Sequence, residues 1–201
     1  MSNYKLTYFD IDGGRGEPLR ITLHAAGLAF EDIRWSFPEF GEKRESARFH
    51  AVPFLEIDGQ PVTQSNALCR YIGKMCNLYP TDPMQALYCD EVIEAIEDLT
   101  HYIVQTFGLE GEKLKKAREN FMNKRLTVFL NGLNELLTRG GGQYFANNGL
   151  TIADLKVAAA LKSMRNGGLE HIPADFVDKI APALAKHQDR VENDPIVLAY
   201  R

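Results

Sequence analysis

The chain changes texture once, between Tyr79 and Pro83, and that break constrains the fold more than any single motif. Before it, short apolar runs alternate with glycine and proline breakers; after it, almost nothing reads as strand. Residues 4–9, YKLTYF, set Tyr4, Leu6 and Tyr8 on one side and Lys5, Thr7 and Phe9 on the other, then run into Asp12-Gly13-Gly14. That is the pattern of a strand and a turn. Residues 17–27 carry Leu19, Ile21, Leu23, Ala25 and Ala26 with Gly27 as a stop, which predicts a helix, and a second strand follows around residues 30–35. Residues 54–57 and 61–63 flank Asp58-Gly59-Gln60, the signature of a tight hairpin. Ser65 precedes the periodic set Ala67, Leu68, Tyr71 and Ile72, which predicts a helix with an N-cap serine.

Beyond the connector, residues 86–107 form a long helical pattern with Ile93, Ile96, Leu99, Ile103 and Phe107 on one side. Residues 112–138 form a second, ended by Gly140-Gly141-Gly142. Thr151 and Asp154 make a capping box with a shorter acid, heading a buried helix through Ile152, Leu155, Val157, Ala158 and Leu161. The expected organisation is a mixed α/β domain over residues 1–79 followed by an all-α domain over residues 84–201.

Composition removes several classes of function. The 201 residues are 45% hydrophobic and 25% charged, the make-up of a soluble globular protein and not of a disordered chain. The three cysteines, Cys69, Cys76 and Cys89, have no CxxC spacing and no paired histidines, so a disulfide framework, a metal site and thioredoxin-type redox chemistry are not expected, and a reducing compartment is. A net charge of -4, with the basic residues of 113–118 and 124–125 interleaved with other types, argues against nucleic-acid binding. No run approaches the roughly 18 apolar residues of a membrane span, and the N-terminus lacks a signal-peptide core; the expected location is the cytoplasm.

A strand-helix-strand unit, then Val52-Pro53, a hairpin and a helix, is the layout of a thioredoxin-like domain, and with a helical domain attached it resembles a glutathione transferase. Tyr8 ends the first strand, Gly14-Arg15-Gly16-Glu17 opens the first helix, Val52-Pro53 precedes the third strand and Gln64-Ser65 the third helix. The opening NYKLTYF and the segment ending Glu97-Asp98 are most similar to the sigma class, which includes the glutathione-dependent prostaglandin D synthases. The resemblance spans the whole chain.

It implies that glutathione is the co-substrate, that Tyr8 stabilises its thiolate with Arg15 nearby, and that a cis Val52–Pro53 bond turns the Val52 backbone outward to pair with the cysteinyl part of the tripeptide. It further implies that Gln64 and Ser65, at a helix N-terminus suited to anions, hold the γ-glutamyl carboxylate. Asp98 would reach the glutamyl amino group held by the partner in a homodimer. The chemistry fits those residue types. A thiol of pKa near 8.5 is only a few per cent ionised at pH 7, and lowering it by about two units takes about 2.7 kcal/mol of differential stabilisation, within reach of a well-placed hydroxyl and a nearby cation. Read alone, Tyr8 could equally be a half-buried strand tyrosine, Ser65 a plain helix cap, and the stripe Glu94, Asp98, His101 and Gln105 a solvated helix face.

The sequence also departs from the sigma pattern. The loop over residues 10–14 is one residue longer, with Asp12 extra beside Gly13 and Gly14, a change able to re-aim Tyr8 and Arg15 whose effect the sequence leaves open. Phe40 stands where sigma members have a tryptophan, and Lys43 or Arg44 is left as the partner of the glycyl carboxylate. The lysine before the cis proline is replaced by His50 or Ala51. Gln105 falls where prostaglandin D synthases carry an aromatic wall, which disfavours that isomerase role. The expected function is conjugation of glutathione to a hydrophobic electrophile beside Phe9, Gln105 and Phe107. The rivals are a glutathione-dependent peroxidase or isomerase and a non-catalytic ligand-binding or structural relative.

Overall fold

The computed structural model describes residues 2–201, which divide into two compact units, 2–79 with 195–201, and 80–194. In the first, β1 (Tyr4–Phe9) lies at the centre of a four-stranded sheet of order β2-β1-β3-β4, with β2 (Phe30–Trp35), β3 (Phe54–Ile57) and β4 (Gln60–Thr63). β1 runs parallel to β2, from Tyr4 opposite Phe30 to Phe9 opposite Trp35, and antiparallel to β3. The β1–β2 crossover is α1 (Glu17–Ala25), as a parallel pair requires. The hairpin turns at Asp58 and Gly59, both with positive φ (52° and 80°), the tight turn that an Asp-Gly pair favours. α2 (Phe37–Lys43) follows β2, and α3 (Ser65–Met75) follows β4 and packs against α1. Leu6 and Leu55 of the sheet and Leu19, Leu23, Leu68 and Ile72 of the helices are at most 1% exposed and form this unit's core.

The second unit is entirely helical among the described residues. α4 (Pro83–Val104) begins at Asp82, whose carboxylate accepts from Met84 and Gln85 N–H groups. α5 (Gly111–Phe121) leads through a π turn (Met122–Leu126) into α6 (Thr127–Arg139), so the continuous helix expected over 112–138 is interrupted in its middle. The Thr127 hydroxyl donates to the Met122 carbonyl within that wider turn. α7 (Ile152–Arg165) is the buried centre and packs on α4 and on α9 (Pro182–Glu192), with α8 (Phe176–Ile180) beside it.

Two expected boundaries move. α4 stops at Val104, so Phe107 lies in the following turn, its N–H bonded to the Val104 carbonyl. Residues 195–201, expected in the helical domain, belong with the first unit, because α10 (Pro195–Tyr200) packs on α1, where Tyr200 meets His24 with ring centroids 6.2 Å apart.

At the head of α7, Asp154 is fully buried and accepts four hydrogen bonds, from Thr151 N–H (2.8 Å), the Thr151 hydroxyl (2.6 Å), Phe145 N–H (3.0 Å) and the His187 ring at Nε2 (2.8 Å). One carboxylate thereby ties α7 to α9 and to the loop before it. Replacing it with an apolar side chain leaves several buried donors without a partner, each costing about 1–3 kcal/mol. Asp154→Ala is expected to lose about 3 kcal/mol or more of stability, read as a lower urea midpoint; an unchanged midpoint would contradict this role.

Candidate functional site

Tyr8 lies near the end of the central strand, where the chain leaves the sheet for an irregular loop. Its ring is 5% exposed and packs with Trp35 and Val52, and Phe9 and Phe40 close the edge of the same cluster. Phe9 meets Tyr8 edge-on at 5.2 Å and Phe40 at 5.0 Å, and stacks obliquely on Phe37 at 4.9 Å. The Val52–Pro53 bond is cis, and both residues are buried. The phenol oxygen of Tyr8 accepts the Arg15 backbone N–H at 3.0 Å. The longer loop therefore closes over Tyr8: Gly13 and Gly14 take positive φ values of 98° and 60°, which lets the chain turn back onto the ring.

Two α1 residues pin this loop, and sequence reasoning gave neither a role. Arg20 is fully buried; its Nε lies 3.1 Å from both oxygens of Asp32 on β2, while Nη1 and Nη2 donate to the carbonyls of Ile11 (3.2 Å) and Phe9 (3.4 Å). Its guanidinium carbon also stands 5.9 Å from the Tyr8 ring centroid. The Glu17 carboxylate accepts from Gly13 N–H at 3.4 Å and lies 4.0 Å from Arg20. The one signal available was a charged residue on the apolar side of a short helix, which must find a partner.

Beside this cluster, α2 carries a complete capping box between Ser36 and Glu39. The Glu39 carboxylate is held down at about 2, first by the Ser36 backbone N–H and then by Lys43. Lys43 is thus committed, 3.0 Å from Glu39 and 5.7 Å from the Trp35 ring centroid, whereas Arg44 is exposed and makes no ion pair among the described residues. The same unit carries an open groove of about 400 Å³ lined by Arg48, Phe49, His50, Phe54, Pro61 and Thr63 among others. At α3 the expected cap is corrected. Gln64, at φ 72°, occupies the cap position and Ser65 is the first helical residue, so Ser65 is not the N-cap; it is buried where the first-turn N–H groups emerge.

Tyr8, Phe9, Phe40 and Val52 therefore meet in one cluster with the Arg15 backbone, Pro53 follows Val52 through the cis bond, Lys43 stands over Trp35 of that cluster, and Arg44, Gln64 and Ser65 lie elsewhere on the same unit. The remaining candidates are on the helical unit. Asp98 is exposed on α4; Gln105 terminates that helix with its side chain 2.9 Å from His101; and Phe107, 54% exposed, lies with its ring centroid 5.5 Å from the Arg118 guanidinium.

This architecture has known relatives. The glutathione S-transferase N-terminal domain matches residues 4–74, and the glutathione S-transferase C-terminal domain matches residues 97–201. The chain belongs to the glutathione S-transferase family. Glutathione S-transferase 1 of Ascaris suum is 33% identical over 81% of both chains. The solved structure of prostaglandin synthase D of Nilaparvata lugens is 31% identical, with a TM-score of 0.86 over 98% of this chain and 96% of that one. The hookworm protein Na-GST-3 of Necator americanus, whose structure is described as monomeric, is 27% identical with a TM-score of 0.77 over 98% and 95%.

The protein is accordingly a glutathione transferase, an enzyme family whose substrate is glutathione, on a thioredoxin-like domain joined to a helical one. Its own thiols are poorly suited to the chemistry. Cys69 and Cys89 are buried, burial pushes Cys89 up to about 12, and burial raises Cys76 as well. Among the described residues no three His, Cys, Asp or Glu side chains cluster as metal ligands would, and no helix is long and apolar enough to cross a membrane.

Proposed function

We propose that this is a sigma-like, cytoplasmic glutathione transferase in which the thiol of bound glutathione loses its proton to solvent and the Tyr8 O–H donates a hydrogen bond to the resulting thiolate, holding it for attack on a hydrophobic electrophile. The observation that carries the reading is the bond from Arg15 N–H to the Tyr8 oxygen, which occupies one acceptor position on that oxygen and orients the phenol. The cis Val52–Pro53 edge beside the ring supports docking of the cysteinyl backbone, and the N-terminus of α3, with exposed Gln64 before it, supports carboxylate binding at Gln64 and Ser65. Because Lys43 is committed to Glu39, Arg44 is the favoured partner of the glycyl carboxylate.

No covalent enzyme intermediate is needed. The rate gain comes from thiolate supply and proximity, with Phe9 offering apolar surface next to Tyr8 and with Gln105 and Phe107 as acceptor-side candidates on the helical unit. The likeness to a prostaglandin synthase D favours a second reading, glutathione-dependent isomerisation, against which stands the polar Gln105 at the expected aromatic wall.

Asp98, exposed on α4, fits a homodimer in which each subunit completes the other's glutamyl contact; this arrangement is not universal in the family, given the monomeric hookworm relative. Turnover of glutathione with an aryl halide, an organic hydroperoxide and an isomerisable lipid separates the readings. Conjugation is expected to dominate, and Tyr8→Phe to lose about ten- to a hundredfold in kcat/KM at neutral pH, the worth of one to two pKa units. No turnover with any acceptor, or an unchanged Tyr8→Phe, would overturn the mechanism. Asp98→Asn should raise KM for glutathione several-fold with assembly intact, and a monomer at micromolar concentration in sizing experiments would refute the shared site.

A further inference from the structure

We propose that Gly16 is a positioning residue for the reaction: its missing side chain is the space in which the Tyr8 ring sits, and this seat, shared with Gly14, holds the phenol oxygen against the Arg15 N–H. The inference rests on the reading of Tyr8 as the thiolate-stabilising group. Glycine at position 16 is not demanded by the backbone, because its φ and ψ of -82° and -34° are ordinary right-handed values open to any residue. The demand comes from contact. A Cβ at Gly16 would overlap Tyr8 Cδ1 and lie 2.7 Å from Cγ and 3.0 Å from Cε1, against the body of the ring and not a movable tip.

At Gly14 a Cβ would lie 2.6 Å from the Tyr8 oxygen, and there the φ of 60° independently favours glycine. The ring has little room to yield, since Trp35, Val52 and Phe9 pack around it. A methyl group on either glycine would displace the phenol and lengthen or misalign the 3.0 Å bond from Arg15, the residue between them.

The chemical consequence concerns the proton. A phenol oxygen that accepts a fixed N–H is polarised and becomes a stronger donor through its own O–H. Its hydroxyl then stabilises the anionic sulfur more than the neutral thiol, which lowers the thiol pKa of bound glutathione. Losing the seat raises that pKa, so activity falls at low pH and returns as pH rises through the new value. A general packing defect would instead reduce activity at every pH.

The test is the pH profile of kcat/KM for Gly16→Ala, in wild-type and Tyr8→Phe backgrounds, with thermal unfolding and glutathione binding measured on the same proteins. In the wild-type background the acidic limb should move up by about one unit, roughly a tenfold loss below it, with recovery at alkaline pH and near-normal glutathione affinity. In the Tyr8→Phe background Gly16→Ala should add no further shift. A wild-type profile for Gly16→Ala beside an impaired Tyr8→Phe would overturn the role of Gly16 and leave the Tyr8 mechanism standing, whereas an unimpaired Tyr8→Phe would overturn both. Should Gly16→Ala fold poorly, Gly14→Ala carries the same test: its added carbon meets the oxygen itself, and an unshifted acidic limb would likewise refute the seat.

Discussion

The guanidinium of Arg20 is the interaction on which the candidate site depends. A buried charge without partners costs several kcal/mol, and that cost falls only when hydrogen bonds surround it. Arg20 meets the requirement with Asp32 of β2 and with the carbonyls of Phe9 and Ile11, so its partners come from both sides of the β1–β2 crossover. The irregular loop that begins where Tyr8 and Phe9 leave the sheet is thereby tied to α1 and β2. Glu17 adds the Gly13 N–H, and only then can Gly14, Arg15 and Gly16 lie against the phenol.

The sequence made the periodic parts of this fold readable. Tyr4–Phe9 and Phe30–Trp35 alternate or end at clear breakers, and Asp58-Gly59 marks its turn because few other residues tolerate positive φ there. Features decided by distant partners were not readable. Arg20 reads only as a charge on the apolar side of a short helix until Asp32 is placed beside it, and Ser65 looks like a cap until Gln64 takes the positive φ that moves the helix start. The end of α4, the π turn near Leu126 and the docking of α10 onto α1 depend likewise on packing and leave little mark on local pattern. The loop that carries the extra residue closes on the Tyr8 ring and bonds its oxygen, a contact that no local pattern announces.

The helical unit is built around a different buried charge. Asp154 satisfies the start of α7 and binds His187 from α9, which fixes the packing beneath the exposed faces that carry Asp98 and Gln105. The two units thus use the same physical device, a buried charged group held by several hydrogen bonds, once to hold a loop and once to hold a bundle. With Cys89 inert through burial, the reactive sulfur in the proposed mechanism arrives with glutathione.

The central claim, that Tyr8 supports a glutathione thiolate, is tested most directly by titrating the near-ultraviolet thiolate absorbance of glutathione bound to the enzyme across pH. The account predicts a bound-thiol pKa well below the free value of about 8.5, by about one to two units, returning toward the free value when Tyr8 is phenylalanine. A bound thiol that titrates like free glutathione in the wild-type enzyme would contradict it.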